Sequence, residues 1–269
     1  MLLLGLLSWL GWRDYDFRCA VREAEAAGFS FEQSPGPAAL IRADWHAAFR
    51  GATWFERVRR RLTPPNGCDL AQHQTLLLRL RPTYLWAGGC RNVSAIRRLT
   101  GLDGLALPVS DVKDLAPLAG LAQLQSLSLY GCTGVADLAP LAGLKQLHGL
   151  DLYGCTGVAD LAPLAGLAQL RVLDLRFTGV ADLAPLAGLA QLQYLPLDGC
   201  TRVADLTPLA SLAQLQYLNL TGCRGVADLT PLVGLAQLQT LLLDGCTGLS
   251  AEAVAAFRKS HPKTRIFGR

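Results

Sequence analysis

The side chains that could act as nucleophiles or metal ligands include eight cysteines. Five of them recur at one position of a repeating unit: Cys132, Cys155, Cys200, Cys223 and Cys246. The other three, Cys19, Cys68 and Cys90, form no CxxC pair, so neither a zinc site nor a redox motif is indicated. Thiols at equivalent positions are typical of a packing pattern and favour a reducing compartment. We expect no metal site and no catalytic cysteine.

General acid–base chemistry needs histidines or carboxylates in a fixed arrangement. The histidines are scattered along the chain: His46, His73, His148 and His261. Asp151 and Asp174, at equivalent positions of adjacent units, are the one carboxylate pair that could serve as acid and base. No phosphate-binding glycine motif accompanies them. The sequence therefore predicts a protein that is not an enzyme, with no cofactor and no small-molecule substrate.

Charge is unevenly distributed over the chain. Residues 114–248 carry five Lys and Arg against ten Asp, whereas residues 249–269 carry five basic residues and one acidic residue. Four arginines, Arg57, Arg59, Arg60 and Arg61, form a cluster that could bind the phosphates of a nucleic acid, although such a cluster is more often a solvated helix face. The acidic middle favours a protein partner with a basic or mixed surface over nucleic acid.

The middle of the chain is an internal repeat of 22 or 23 residues. A typical unit reads LQSLSLYGCTGVADLAPLAGLAQ. We expect units to begin at these leucines: Leu80, Leu102, Leu124, Leu147, Leu170, Leu192, Leu215 and Leu238. A period of this length is typical of a solenoid, because one unit cannot bury its apolar face alone.

This unit resembles the LxxLxLxx(N/C)xL pattern of leucine-rich repeats over about residues 80 to 250. Within that family it is most similar to internalins and to protein phosphatase regulatory subunits. It departs from internalins in having Cys or Thr in place of their asparagine. The resemblance implies an α/β solenoid with a curved parallel sheet, a convex side of 3₁₀ turns and loops, and a role in binding proteins.

The residues of one unit agree with that architecture. Leu127 and Leu129 are two apart, so on a strand both point to the core. The small thiol of Cys132 can donate to the backbone of the neighbouring unit. Asp137 precedes a turn that contains Pro140, where its carboxylate can accept from unpaired N–H groups. We therefore assign the recurring aspartates of this position to capping.

The ends of such an array must be closed. We expect an N-terminal helical cap over residues 1–75, with helices near 16–27, 38–49 and 53–62, then repeats over 76–249 in about seven to eight units. Residues 250–269 form the C-terminal cap, a helix capped by Ser250 and stopped by Pro262, followed by a last strand. The apolar segment MLLLGLLSWLGW is expected to pack on the fold, with a degenerate signal or a membrane-interface segment as alternatives.

Strand side chains that point away from the core line the concave face of a curved solenoid, the usual binding surface of repeat arrays. These side chains supply the predicted partner site: Trp86, Tyr130, Asp151, Tyr153, Asp174, Arg176, Phe177, Tyr194, Asp198, Tyr217, Asn219 and Asp244. Tyrosine is also common in strands for purely structural reasons. Exposed aromatics beside charges are nevertheless the composition expected of an interaction surface.

One place in the array breaks the pattern. The unit from Leu170 to Gln191 has 22 residues and carries Thr178 where its neighbours have cysteine, and Pro196 stands in the middle of the next strand. We expect a contact centre there, with a neutral irregularity of the repeat as the alternative, and its residues are Asp174, Arg176, Phe177, Tyr194 and Asp198. The predicted function is a cytoplasmic protein-binding scaffold or regulator, and the alternative is an internalin-like surface or secreted effector. No membrane partner is expected.

Overall fold

The computed structural model describes residues 30–32, 61–63, 69–80, 82–90 and 92–268. Within these ranges the strands form one open sheet of eleven strands, arranged in chain order. The strands are β1 Ser30–Glu32, β2 Arg61–Thr63, β3 Tyr84–Trp86, β4 Gly104–Ala106, β5 Ser126–Ser128, β6 Gly149–Asp151, β7 Val172–Asp174, β8 Tyr194–Pro196, β9 Tyr217–Asn219, β10 Thr240–Leu242 and β11 Arg265–Phe267. β1 is antiparallel to β2, and each later pair of neighbours is parallel. The predicted solenoid is confirmed.

Each coil of the solenoid contributes its leucines to one continuous core. In the coil of β5, Leu127, Leu129, Cys132 and Val135 are all fully buried. The convex side carries the predicted 3₁₀ turns, at Ala116–Leu118, Ala139–Leu141, Ala162–Leu164, Ala184–Gly188, Thr207–Ser211 and Thr230–Leu232, after two earlier ones at Leu70–His73 and Ser94–Arg98. The period-three leucines therefore mark short 3₁₀ helices, which have about three residues per turn.

The recurring aspartates cap these turns as predicted. Asp137 Oδ1 accepts from the backbone N–H of Ala139 at 2.8 Å, and Ala139 begins the 3₁₀ turn. The same bond recurs at Asp114, Asp160, Asp182, Asp205 and Asp228. These six carboxylates are engaged by their own turns.

The predicted C-terminal helix is α2, Ala251–Ser260; α1 is Gln74–Leu80. Ser250 Oγ accepts from the N–H of Ala253 at 3.1 Å, and Val254 and Phe257 are buried in the core. The expected last strand is β11, which pairs in parallel with β10.

The expected start of the first unit, Leu80, was wrong. Leu80 is the last residue of α1, and the strand of that coil is β3. The buried residue two positions before the strand is therefore Pro82, which corresponds to Leu124 before β5. Leucine is as favourable in a helix as in the repeat, so residue type alone did not distinguish the two.

The expected helix near 53–62 was also wrong at its end, because Arg61 and Leu62 belong to β2. Leu62 pairs in register with Leu85, 23 positions later, so the parallel sheet extends one coil further than the repeat pattern indicated. The remainder of that helix, the helices near 16–27 and 38–49, and the segment MLLLGLLSWLGW lie outside the described residues. Across the part of the chain that is described, no helix has the length and apolarity to span a membrane.

Candidate functional site

The parallel register places equivalent side chains of adjacent coils side by side on the concave face. The predicted site residues differ in exposure. Trp86, Tyr130, Asp151, Tyr153, Asp198 and Tyr217 are half-buried, Asp174, Arg176, Tyr194 and Asn219 are buried, and Phe177 and Asp244 are exposed. The coils from β5 to β9 bring most of them together. Trp86 lies three strands from Asp151, and Asp244 lies beyond the end of β10.

An ion pair in the coil of β7, between Asp174 at the end of the strand and Arg176 after it, is the most buried charged group of this face. The Arg176 Nε donates to both carboxylate oxygens of Asp174 at 3.0 Å, and Nη2 donates to Oδ2 at 2.5 Å. Asp198, one coil further, has Oδ1 3.9 Å from Arg176 Nε. Although burial disfavours the charged guanidinium, its bonds to Asp174 outweigh that cost and raise the pKa of Arg176. The guanidinium therefore remains charged inside the face.

Asp151 lies beside this ion pair without joining it. Its Oδ2 accepts from Ser128 Oγ at 2.9 Å, and its Oδ1 accepts from the N–H of Tyr153 at 3.0 Å. Asp174 is its register partner on β7. Burial, and then the negative charge of Asp174, raise the pKa of Asp151 to about 6. The concave face thus holds a carboxyl group that changes charge close to neutral pH.

Three aromatic side chains, which we name the aromatic ladder, cross the carboxyl ends of β5 to β7. The rings of Tyr130 and Tyr153 stack with centroids 4.9 Å apart, and the ring of Phe177 meets Tyr153 edge-on at 5.4 Å. The Arg176 guanidinium carbon lies 4.8 Å from the centre of the Tyr153 ring. The cation and the neighbouring rings hold Tyr153 from both sides.

A second aromatic pair lies further along the array. Tyr194 and Tyr217 stack with centroids 4.3 Å apart and an interplanar angle of 13°. Beside them Asn219 Nδ2 donates to Asp198 Oδ1 at 3.0 Å, and Asn219 Oδ1 accepts from the N–H of Thr221 at 2.9 Å. Tyr194 is only 3% exposed, so its ring supports Tyr217 and offers little surface of its own.

The recurring thiols face the interior of the solenoid. Each donates to a carbonyl of the preceding coil, as Cys155 Sγ does to Leu129 O at 3.1 Å, and this predicted cross-coil bond is confirmed at all five positions. Burial raises the pKa of Cys155 to about 12. Within the described ranges no group of three or more His, Cys, Asp or Glu side chains could hold a metal ion. Because each recurring thiol is buried and bonded to a backbone carbonyl, we assign the thiols to packing.

His148 directly precedes β6. Burial, and then the positive charge of Arg171 in the next coil, lower its pKa. This residue and Arg171 lie at the amino ends of their strands, away from the aromatic ladder.

We name the third residue after each strand from β3 to β10 the glycine slot. Two coils depart from the others at this position. Six of these eight coils have glycine there with positive φ: Gly89, Gly131, Gly154, Gly199, Gly222 and Gly245. The other two have Val109 at φ 49° and Phe177 at φ 54°. Val109 was missed in the sequence, although the unit from Leu102 to Gln123 has the same 22-residue length as the unit of Phe177.

The shortened coils share a second substitution next to the glycine slot. Ser110 and Thr178 stand in the cysteine position, and each hydroxyl donates to the carbonyl three residues earlier, at 3.0 and 2.7 Å. Each hydroxyl also contacts the thiol of the next coil, Ser110 with Cys132 at 3.2 Å and Thr178 with Cys200 at 3.4 Å. The same local structure therefore arises twice, three coils apart.

Pro196 is the last residue of β8 and does not lie in the middle of the strand as expected, and the array is irregular at this point, next to Phe177. Proline lacks an N–H, and the β7–β8 register is reduced to the single pair Val172 and Tyr194, whereas the neighbouring strand pairs have three. The interruption lies between the coil of Arg176 and the coil of Asp198.

Comparisons with known proteins give structural neighbours only. No protein-family model matches the chain, and no curated protein matches it. The structure is similar to that of internalin C2 from Listeria monocytogenes, with 31% sequence identity over 65% of this chain and 81% of the internalin chain and a TM-score of 0.53. It is also similar in fold to the leucine-rich repeat domain of the type III effector XopL, with 21% identity over 96% of this chain and 93% of that domain and a TM-score of 0.56.

Proposed function

The chain belongs to the leucine-rich repeat family, and from that premise we propose that it is a non-enzymatic scaffold or regulator that binds a protein on its concave face. The observation that carries the proposal is the aromatic ladder with its buried ion pair. Neighbouring rings and the Arg176 guanidinium hold Tyr153 in place. A ring that is already fixed loses little conformational entropy on binding, so its contact area contributes efficiently to affinity.

The charge of this face defines the partner. Four carboxylates, Asp151, Asp174, Asp198 and Asp244, stand against one guanidinium, that of Arg176. Because Arg176 is committed to Asp174, the outer carboxylates of Asp198 and Asp244 offer negative charge to a partner. A protein with a basic or mixed surface is complementary to that arrangement.

The chemistry of the site supports binding in preference to catalysis. Asp174, one member of the carboxylate pair, is held by Arg176, and Asp151 is hydrogen-bonded to Ser128 and to the backbone of Tyr153. The thiol of Cys155 is buried with a raised pKa, so the nucleophilic thiolate is not formed near neutral pH. We propose that these polar groups position the aromatic ladder.

A titration of the partner tests the proposal. The partner is isolated by affinity purification with the wild-type chain, purified, and titrated calorimetrically against Tyr153→Ala/Tyr217→Ala. Tyr194 is left unchanged because it is buried, so the variant keeps its fold. The expected result is an affinity lower by at least about tenfold, as for interface aromatics.

The matched control is Val233→Ala, which removes an exposed apolar side chain from the convex side. Its affinity should equal that of the wild type. Equal affinity of the tyrosine variant and this control would exclude the concave face as the binding surface.

The location of the protein follows from the same proposal. The five recurring cysteines, Cys132, Cys155, Cys200, Cys223 and Cys246, are free thiols, and this favours a cytoplasmic scaffold in a reducing compartment. The similarity to internalin C2 favours the alternative, a surface-exposed or secreted effector that uses the same face. Fractionation of the native cells with an antibody against the chain separates the two, since the alternative requires the protein outside the cytoplasm.

A further inference from the structure

Val109 and Phe177 hold backbone conformations that the other coils reserve for glycine. At the glycine slot the backbone N–H donates to the next coil, from Val109 to Tyr130 O at 2.6 Å and from Phe177 to Asp198 O at 3.0 Å. In all eight coils the residue at this slot has positive φ, a conformation that is unfavourable for residues with a Cβ. A β-branched valine is among the least favourable residues for that conformation.

Both strained side chains are apolar and exposed. Val109 is 67% exposed and Phe177 is 48% exposed, and they are two of the four large exposed apolar residues within the described ranges. Neither side chain gains much burial in return for the strain. Glycine serves the slot in the other six coils, so the fold itself does not require valine or phenylalanine.

Each of the two side chains lies across the glycine slot of the following coil. A Cβ on Gly131 would lie 3.3 Å from Val109 Cγ2, and a Cβ on Gly199 would lie 2.4 Å from the Phe177 ring. The two side chains are three coils apart, which is about 14 Å at the usual strand spacing. Between them lie Gly131 and Gly154, which carry no side chain. The result is two apolar side chains at one edge of the sheet, with two glycines at the equivalent positions between them.

We propose that Val109 and Phe177 are paired apolar anchors for a protein segment that presents apolar side chains next to lysine or arginine. This inference rests on the proposed function and specifies the contact points within it. The basic component follows from charge complementarity, because Phe177 follows Arg176 in the chain, and the single guanidinium of Arg176 faces two carboxylates, those of Asp174 and Asp198. Backbone strain retained beside exposed apolar groups is typical of a site selected for binding.

A library of random 16-residue peptides displayed on phage is the probe. Peptides enriched on the wild-type chain are synthesised and titrated against Val109→Gly/Phe177→Gly and against the convex control Val233→Ala. The expected peptides combine apolar residues with lysine or arginine, and the double glycine variant should bind them at least tenfold more weakly than the wild type. The control should bind them as the wild type does.

Folding is checked on the same samples. Glycine is the residue of the other coils at this slot, so the double variant should unfold at a temperature equal to or above that of the wild type. Loss of binding then reports the loss of the two side chains.

The other outcomes count against the inference. Undiminished binding by the double glycine variant overturns it, as does a library that yields no enriched peptide. If Tyr153→Ala/Tyr217→Ala loses the peptides while the double glycine variant keeps them, the concave face is the site and the anchors are not part of it. If neither variant loses them, the proposed function fails as well.

Two further occupants are tested directly. A wild-type dimer in light scattering that the double glycine variant abolishes would assign the anchors to a second copy of the chain. Co-sedimentation of the wild type, but not of this variant, with phosphatidylglycerol vesicles would assign them to a membrane surface. Either result overturns the assignment to a protein segment.

Discussion

Asp151 and Asp174 are register partners on β6 and β7, yet only Asp174 receives hydrogen bonds from the guanidinium of Arg176. Instead of a guanidinium, Asp151 has two neutral hydrogen-bond donors, the hydroxyl of Ser128 and the backbone N–H of Tyr153. Equivalent positions of adjacent coils thus hold carboxylates with different electrostatic roles. One charge is compensated within the fold, and the other is left to respond to pH.

The first prediction is a pH-dependent stability that comes from Asp151. Its pKa is about 6 in the folded chain and about 3.9 in an unfolded chain. The folded state therefore binds the proton more tightly. The contribution of Asp151 to the free energy of unfolding is therefore fully present below about pH 4, and it is lost as the pH rises through about 6.

The measurement is the free energy of unfolding in urea between pH 4 and pH 8 for the wild type and Asp151→Asn. Because asparagine does not titrate, the difference between the two chains should change by up to about 2 kcal/mol, with the variant favoured at the higher pH. Parallel curves for the two chains would show that Asp151 does not titrate in this range.

The second prediction concerns the buried ion pair. Arg176→Met keeps most of the side-chain volume but leaves the carboxylate of Asp174 buried without its cation. The cost should be about 3 kcal/mol at pH 7, as for other broken buried pairs. Urea unfolding of the purified variant measures it.

A double variant provides the control for that experiment. In β9 the position of Asp174 is held by Asn219. Asn219 Oδ1 accepts from the backbone N–H of Thr221, just as Asp174 Oδ1 accepts from the backbone N–H of Arg176. Asp174→Asn/Arg176→Met therefore reproduces an arrangement already present in the chain, and it should be more stable than Arg176→Met alone. Equal losses in the single and double variants would mean that the ion pair is not the source of the effect.

The third prediction separates backbone strain from side-chain contact at the glycine slot. Gly199 and Gly222 have nearly the same φ, 77° and 79°. A Cβ on Gly199 would meet the Phe177 ring at 2.4 Å, whereas the nearest atom to a Cβ on Gly222 is 3.7 Å away. Gly222→Ala should cost about 1 kcal/mol from backbone strain, and Gly199→Ala should cost more because the ring must move.

Thermal unfolding measures this difference. Gly199→Ala and Gly222→Ala are each compared in the wild-type chain and in the Phe177→Gly variant. In the Phe177→Gly background the cost of Gly199→Ala should fall to that of Gly222→Ala. A penalty at Gly199 that persists without the ring would contradict the proposed contact.

The repeat pattern predicted the coil because its positions have strict physical roles. Leu127 and Leu129 identify a strand with one buried face, and Asp137 with Pro140 identifies a capped turn. The pattern failed at the start of the array, where Leu80 fits a helix as well as a repeat. It also gave no signal at Leu62, whose strand is recognised by pairing with Leu85 and not by its own neighbours.

The sequence predicted which face each of these side chains lies on, but not how exposed each one is. Alternation along a strand placed Tyr153 and Tyr194 on the same face, while the depth of each depends on the size of the residues in adjacent coils. Tyr217 covers Tyr194, so that ring is buried. Val109 was missed because its strain depends on backbone φ, which residue types alone do not reveal, although the shortened unit was visible in the sequence.

The last prediction is that the five recurring thiols do not react in the folded protein. A thiol reacts as its thiolate, and burial raises the pKa of Cys155 to about 12 and that of Cys246 to about 11. Each sulfur is also engaged with a carbonyl of the preceding coil, as Cys246 is with Leu220 O at 3.0 Å.

Treatment with iodoacetamide at pH 8, followed by digestion and mass spectrometry, should therefore leave all five thiols unmodified. The same treatment in about 6 M guanidinium, which unfolds the chain, should modify each of them. Cys132 is the most informative residue, because its sulfur also contacts the Ser110 hydroxyl of a shortened coil. Modification of Cys132 in the native protein, with Cys155 protected, would mean that the shortened coil opens locally and that its strained Val109 belongs to a mobile segment. Protection of both thiols means that the rim around Val109 is as rigid as the rest of the array, which a pre-organised binding surface requires.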